Sequence, residues 1–234
     1  MNRFFEKLKR KAMHLRLSPI RVFCFHQVSD EFEPDTMMEC DWTQTDLFKQ
    51  HILELKKKYT FISLTDATEH IKHDYIRVKK YAVLTADDGW ASLKNVIPWL
   101  AEQDVPVTLF INPAYLDGKH YRKKETERYL SHKDMFFILK SFNNISLALH
   151  GWEHKDVTLM NELEFRNSIE KSLNNLQEYS KSIRFYAYTW GKHNNMYDNI
   201  LKEYSLIPVL MDGMKNYNDT HYIHRELLDV GYKQ

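Results

Sequence analysis

The chain has 234 residues, 43% of them hydrophobic and 14% aromatic, which is enough apolar surface for one α/β domain with a packed core. Thirty-three basic residues against 32 acidic ones leave a net charge of +1, so there is no general electrostatic case for binding nucleic acid. The two cysteines, Cys24 and Cys40, make neither a disulfide framework nor a CxxC pair, and reduced thiols in a reducing compartment are expected.

The N-terminal stretch of residues 1–19 is basic and has no apolar signal-peptide core, and nothing later approaches about 20 consecutive apolar residues. A cytoplasmic protein is expected. Phe4, Phe5 and Leu8, among Lys7, Lys9, Arg10 and Lys11, suit a short helix in weak contact with the inner membrane surface. A solvated terminal helix is the plainer alternative.

A strand over 20–25 then runs into His26, followed by helical patterns over 45–58 and 65–73. The strand at 81–86 leads into "TADDGW", and a helix over 91–103 precedes a strand at 105–111. The basic run at 119–128 reads as a solvated loop, with an anionic polymer or lipid phosphate as its functional alternative. A helix over 132–141 leads to the strand 145–149, which stops at "HGWEH". The next helix, 162–180, has Asn161 as N-cap and a face lined by Leu163, Ile169, Leu173 and Leu176. A strand at 183–188 enters "YAYTWGKHN", and a helix at 196–204 precedes a strand at 206–210. Strands alternating with helices predict parallel βαβ units in a single domain spanning 1–234.

In such folds the chemistry collects at the C-terminal ends of strands. Asp87-Asp88-Gly89 has a bland reading as a turn. Its functional reading is that adjacent side chains diverge, so one carboxylate ligates a metal while the other stays free beside water. An Asp-His-His set with open positions is a common recipe for a water-activating metal, and His150 and His154 supply the histidines.

These segments together resemble the polysaccharide deacetylases with the NodB-homology domain, the carbohydrate esterase family 4 group. "FCFHQVSDE", "TADDGWASLKNVIPWLAEQDVPVTLFI", "ISLALHGWEHKDV", "FYAYTWGKHN" and "YIHREL" follow that family's motifs in order, from about Arg21 to Val230. The resemblance implies an α/β fold, a distorted and incomplete (β/α) barrel of NodB-homology type. It implies hydrolytic removal of N-acetyl, or O-acetyl, groups from an amino-sugar glycan or glycan precursor. It places a divalent metal on Asp88, His150 and His154, with zinc expected and nickel, cobalt or iron as alternatives, and makes Asp87 the catalytic base.

The sequence departs from the family pattern in four places. Gly151 stands where Ser or Thr is usual, and Ala86 where Phe is usual. Ala187 replaces an arginine that orients the base, which makes Arg225 the candidate orienter. The C-terminal histidine motif that supplies the general acid is not evident, which makes His26 the candidate acid. Trp90, Trp152 and Trp190 follow the site motifs, either as packing or as walls that stack on sugar rings. Two other functions compete. One is a glycan-binding homologue without catalysis. The other is a zinc protease in which His150-x-x-Glu153-His154 lies on a helix with Glu153 as base.

Overall fold

The computed structural model describes residues 18–30, 41–73, 79–116, 129–180, 182–217 and 221–228. Most of the basic extension (residues 1–17), Cys40 and the run 119–128 lie outside the described residues.

The strands are β1 (Arg21–Phe25), β2 (Gln27–Ser29), β3 (Trp42–Gln44), β4 (Thr60–Phe61), β5 (Tyr81–Ala86), β6 (Val107–Ile111), β7 (Ile145–Leu149), β8 (Phe185–Ala187), β9 (Ile207–Met211) and β10 (Ile223–Leu227). An eight-stranded sheet runs β1-β10-β9-β8-β7-β6-β5-β4, and β1 also pairs with β5. Seven of the eight strands therefore close into a ring, with β4 attached at the start of β5 through Thr60 and Phe61. Every pairing in the ring is parallel. This is the distorted (β/α) barrel expected above. The two-stranded pair of β2 and β3 and the short β4 were not legible as strands, because two or three residues carry no period.

The helices are α1 (Thr45–Lys56), α2 (Leu64–His73), α3 (Leu93–Glu102), α4 (His132–Ser141), α5 (Glu162–Leu176) and α6 (Asn195–Glu203). Local chemistry sets their starts. Ser131 with Asp134, and Asn161 with Glu164, each form a reciprocal capping box. The buried face of α5 is Phe165, Ser168, Ile169, Ser172 and Leu176, at helical spacing, whereas Leu163 points outward. The expectation for Leu163 was wrong because it lies six residues before Ile169, well off that face. No helix among the described residues is long and apolar enough to cross a membrane.

Period-2 alternation sorts the strand residues into two buried clusters. Phe23, Phe25, Leu84, Leu109, Leu147 and Leu149 pack outward with helix residues such as Val96 and Ile169. Val22, Val83, Phe110, Ala148, Phe185, Ala187, Val209 and Ile223 fill the inside of the ring, joined by Leu64, Ala67 and Ile71 of α2. Each of the larger of these side chains (Val, Leu, Ile, Phe), fully buried, contributes roughly 1.5–3 kcal/mol. The parity has a functional consequence. Continuing the inward positions past the strand ends gives His26 from β1, Asp87 from β5, His150 from β7 and Arg225 within β10.

Candidate active site

At the end of β5 the backbone N–H of Asp87 still bonds the carbonyl of Phe25, at 3.1 Å, so Asp87 keeps the inward direction of its strand. The chain then turns sharply. Asp88 and Gly89 both have left-handed backbone angles, with φ of 69° and 77°. Asp tolerates this region better than most residues, and Gly89 is required there. A Cβ on Gly89 would lie 2.9 Å from the Cδ1 of Ile111, inside contact distance. The turn is what separates the two adjacent carboxylates and aims them at different partners.

Asp87 faces Arg225. The guanidinium reaches across the barrel interior and donates from NH1 to Oδ1 (2.6 Å) and from NH2 to Oδ2 (2.8 Å), a bidentate pair. Arg225 is only 1% exposed and is held in turn by Thr85 Oγ1 at 3.1 Å and Cys24 Sγ at 3.3 Å. Its guanidinium carbon lies 4.9 Å from the centre of the Phe110 ring. Burial pushes the Asp87 carboxyl up, but Arg225 and His150 together outweigh it and hold the group below the usual carboxylate range. Arg225 thus stands at Asp87, whereas Ala187 has no side chain that could reach it.

Asp88 faces the histidines. Its Oδ2 accepts a hydrogen bond from Trp90 Nε1 at 2.9 Å, which leaves Oδ1 as the free oxygen. His150 Nε2 and His154 Nε2 approach that Oδ1 at 3.3 and 3.4 Å. Yet Oδ1 is buried and receives no hydrogen bond of good geometry. His150 donates from Nδ1 to the carbonyl of Ala187 at 2.9 Å, so its Nε2 is the unprotonated nitrogen turned to Asp88 in the neutral ring. The loop that carries the histidines is also pinned through its backbone. Asn112 Nδ2 donates to the carbonyl of His150, and the backbone N–H of His154 donates to Tyr115 Oη at 2.9 Å.

One carboxylate oxygen and two imidazole nitrogens, all within 4.8 Å of one another, make a donor set that fits a divalent cation. The electrostatics agree. Burial opposes charge on His150, but Asp87 and Asp88 raise its proton affinity above the ordinary histidine value. Burial dominates at His154 and lowers its proton affinity. The two carboxylates that draw a proton to His150 would draw a cation in its place.

These groups line a cleft of about 500 Å³, together with His26, Asp41, Tyr115, Tyr129, Tyr188, Trp190 and Met211. His26 is at the cleft as expected, whereas His193 and His224 are turned to Asp198 and Asp212 outside it. The three tryptophans part company. Trp90 stacks one face on Tyr129, with ring centres 4.5 Å apart, and is committed to Asp88. Trp190 is 59% exposed at the rim, with its ring edge-on to His154. Trp152 turns away and packs under Lys171 Nζ, 4.0 Å from its ring centre, in a separate cleft. Trp152 therefore does not join the other two.

Tyr115, Tyr129 and Asp41 are cleft residues that the sequence reading missed. Tyr115 follows the end of β6, and an apolar strand ending in Asn112-Pro113 is the signal that was available for it. The helix required by the protease alternative is absent: residues 150–156 are irregular, and Glu153 pairs with Lys155 at 2.7 Å in the other cleft.

Residues 75–209, more than half of the chain, match the family model described as polysaccharide deacetylase. The chain belongs to the polysaccharide deacetylase family. Membership makes the deacetylase a carbohydrate-active hydrolase. Several solved structures share its fold. IcaB from Ammonifex degensii is 18% identical with a TM-score of 0.75, over 91% of this chain and 93% of that one. The deacetylase PplD of Streptococcus pyogenes is 18% identical with a TM-score of 0.73, over 91% and 93%. A de-N-acetylase from Aggregatibacter actinomycetemcomitans is 19% identical with a TM-score of 0.73, over 92% and 97%. No curated protein matches the deacetylase in sequence.

Proposed function

We propose that the deacetylase removes N-acetyl groups from amino-sugar residues of a glycan, with zinc on Asp88, His150 and His154 and with Asp87 as general base. One observation carries this reading. A carboxylate locked by a bidentate arginine stands 3.9 Å from a histidine of a three-donor set, in which two imidazole nitrogens face one buried carboxylate oxygen. Asp88, His150 and His154 would hold a divalent cation there, and it would supply Lewis-acid chemistry for a water and for the acetyl carbonyl.

The chain's own groups do the rest. Asp87, ionised and fixed by Arg225, accepts the proton of the attacking water. The leaving amine needs a proton, and His26 is the donor. It lies opposite Asp87 on the neighbouring strand, with a ring nitrogen within 4.8 Å of the carboxylate. Trp190 provides the rim wall for a sugar ring. Trp90, with one face covered, holds Asp88 in place. The intact base, its arginine and the converging donors favour catalysis over binding alone.

The reading is tested by acetate release from N-acetylated and O-acetylated sugars, as monomers and oligomers. Release from the N-acetylated set is expected. Release from O-esters alone would make the enzyme an esterase, and no release by protein loaded with metal would leave the binding-only alternative.

His26→Asn is expected to lose activity on an amide while keeping it on an activated ester whose leaving group needs no proton, with metal content unchanged. Equal loss on both substrates would remove His26 as the acid. Arg225→Lys keeps the charge but not the fork. A hydrogen bond to a charged group is worth about 1.5–3 kcal/mol, so turnover should fall about 10- to 100-fold. Unchanged kinetics would mean that the bidentate contact has no part in turnover.

A further inference from the structure

The cleft carries a second group of metal-ligating side chains beside the first. Cys24 and His26 are two residues apart on and just beyond β1, so both follow the inward direction of the strand. Phe25 pairs with Ala86 across the ladder to β5, which brings Asp87 alongside His26. Cys24 Sγ, a ring nitrogen of His26 and a carboxylate oxygen of Asp87 all lie within 4.8 Å of one another. Cys24 is fully buried and free of any disulfide, while His26 and Asp87 line the open cleft above it.

We propose that Cys24, His26 and Asp87 form a second, inhibitory site for a thiophilic divalent cation of the zinc or cadmium class. Thiolate, imidazole and carboxylate are the donors that such ions take, and a buried sulfur selects against magnesium, calcium and manganese. Arg225 already donates to both Sγ and Asp87, so it serves as an outer-shell hydrogen-bond donor to the two anionic ligands. Its positive charge also makes this the weaker of the two sites, filled only when metal is in excess. Binding is a simple exchange, in which the thiol proton leaves to solvent and the ion takes its place. The inhibitory consequence rests on the function proposed above, because the ion would tie up both Asp87 and His26. It predicts inhibition by excess zinc or cadmium and none by manganese.

The test is a cadmium titration of the full chain carrying Cys40→Ser, which leaves Cys24 as the sole thiol. Two equivalents are expected, one of them with the ultraviolet charge-transfer band of a cadmium–thiolate bond. Cys24→Ser or Cys24→Ala in that background should remove the band and one equivalent. Asp88→Ala should remove the other equivalent and keep the band, which separates this site from the Asp88–His150–His154 set. The zinc concentration that inhibits should rise by at least about tenfold in the Cys24 variants, the scale expected when metal affinity is weakened at a site. No thiolate band with Cys24 present would overturn the site. A band without inhibition by excess zinc, or equal inhibition with and without Cys24, would overturn its inhibitory role.

Discussion

Alanine at Asp88, His150 or His154 is expected to abolish metal binding at that three-donor set and acetate release together. The three donors come from two different loops, with both imidazole nitrogens turned to the buried Asp88 oxygen, and no fourth ligand belongs to the set among the described residues. Outer-shell partners alone are worth about 10- to 100-fold in metal affinity, so a lost ligand should cost at least that much. The fold should survive. His154 is partly exposed and lies in an irregular loop, so His154→Ala removes no core packing. Metal analysis after dialysis, with a thermal melt as control, decides the matter. Full metal occupancy in all three variants would make Asp88, His150 and His154 ordinary strand-end polar residues.

Asp87→Asn should separate the base from the ligands. It keeps the shape and an acceptor for Arg225 but cannot take a proton, so turnover should fall by about 10²- to 10⁴-fold with metal retained. A stability cost is also expected, because the substitution leaves the Arg225 charge buried without its counter-ion; breaking such pairs costs about 3–5 kcal/mol. Activity must therefore be measured well below the melting temperature. Loss of metal along with activity would mean that the two aspartates have been assigned in the wrong order. Activity equal to wild type would remove Asp87 from the mechanism.

Much of this site was legible before any coordinates, because period-2 alternation in a strand carries direction as well as burial. Val83, Thr85 and Asp87 share a face, as do Ala148 and His150, and Ile223 and Arg225. Extending each strand by one or two residues therefore points its polar ending at a common centre. The Asn161 cap was legible for a similar reason, since the Asn-x-x-Glu spacing is a local property. What stayed hidden depends on partners distant in sequence. Trp90 reads as a sugar platform until Tyr129, 39 residues later, is seen to cover one face. Trp152 sits between the two histidines in sequence, but an irregular loop has no period and sends it to the other side. Gly151 is also explained only in three dimensions. Its φ of 80° disfavours any side chain, and a Cβ would sit 3.2 Å from the Tyr186 hydroxyl.

The most direct test of the metal-dependent mechanism is acetate release from an N-acetylated amino-sugar oligomer by three forms of the purified protein. These are the metal-stripped wild type, the same protein reconstituted with one equivalent of zinc, and zinc-loaded Asp87→Asn. The mechanism predicts full release from the reconstituted wild type, release at least about 10²-fold lower from Asp87→Asn, and none from the stripped protein. Equal release with and without metal, or undiminished release by Asp87→Asn, would contradict it.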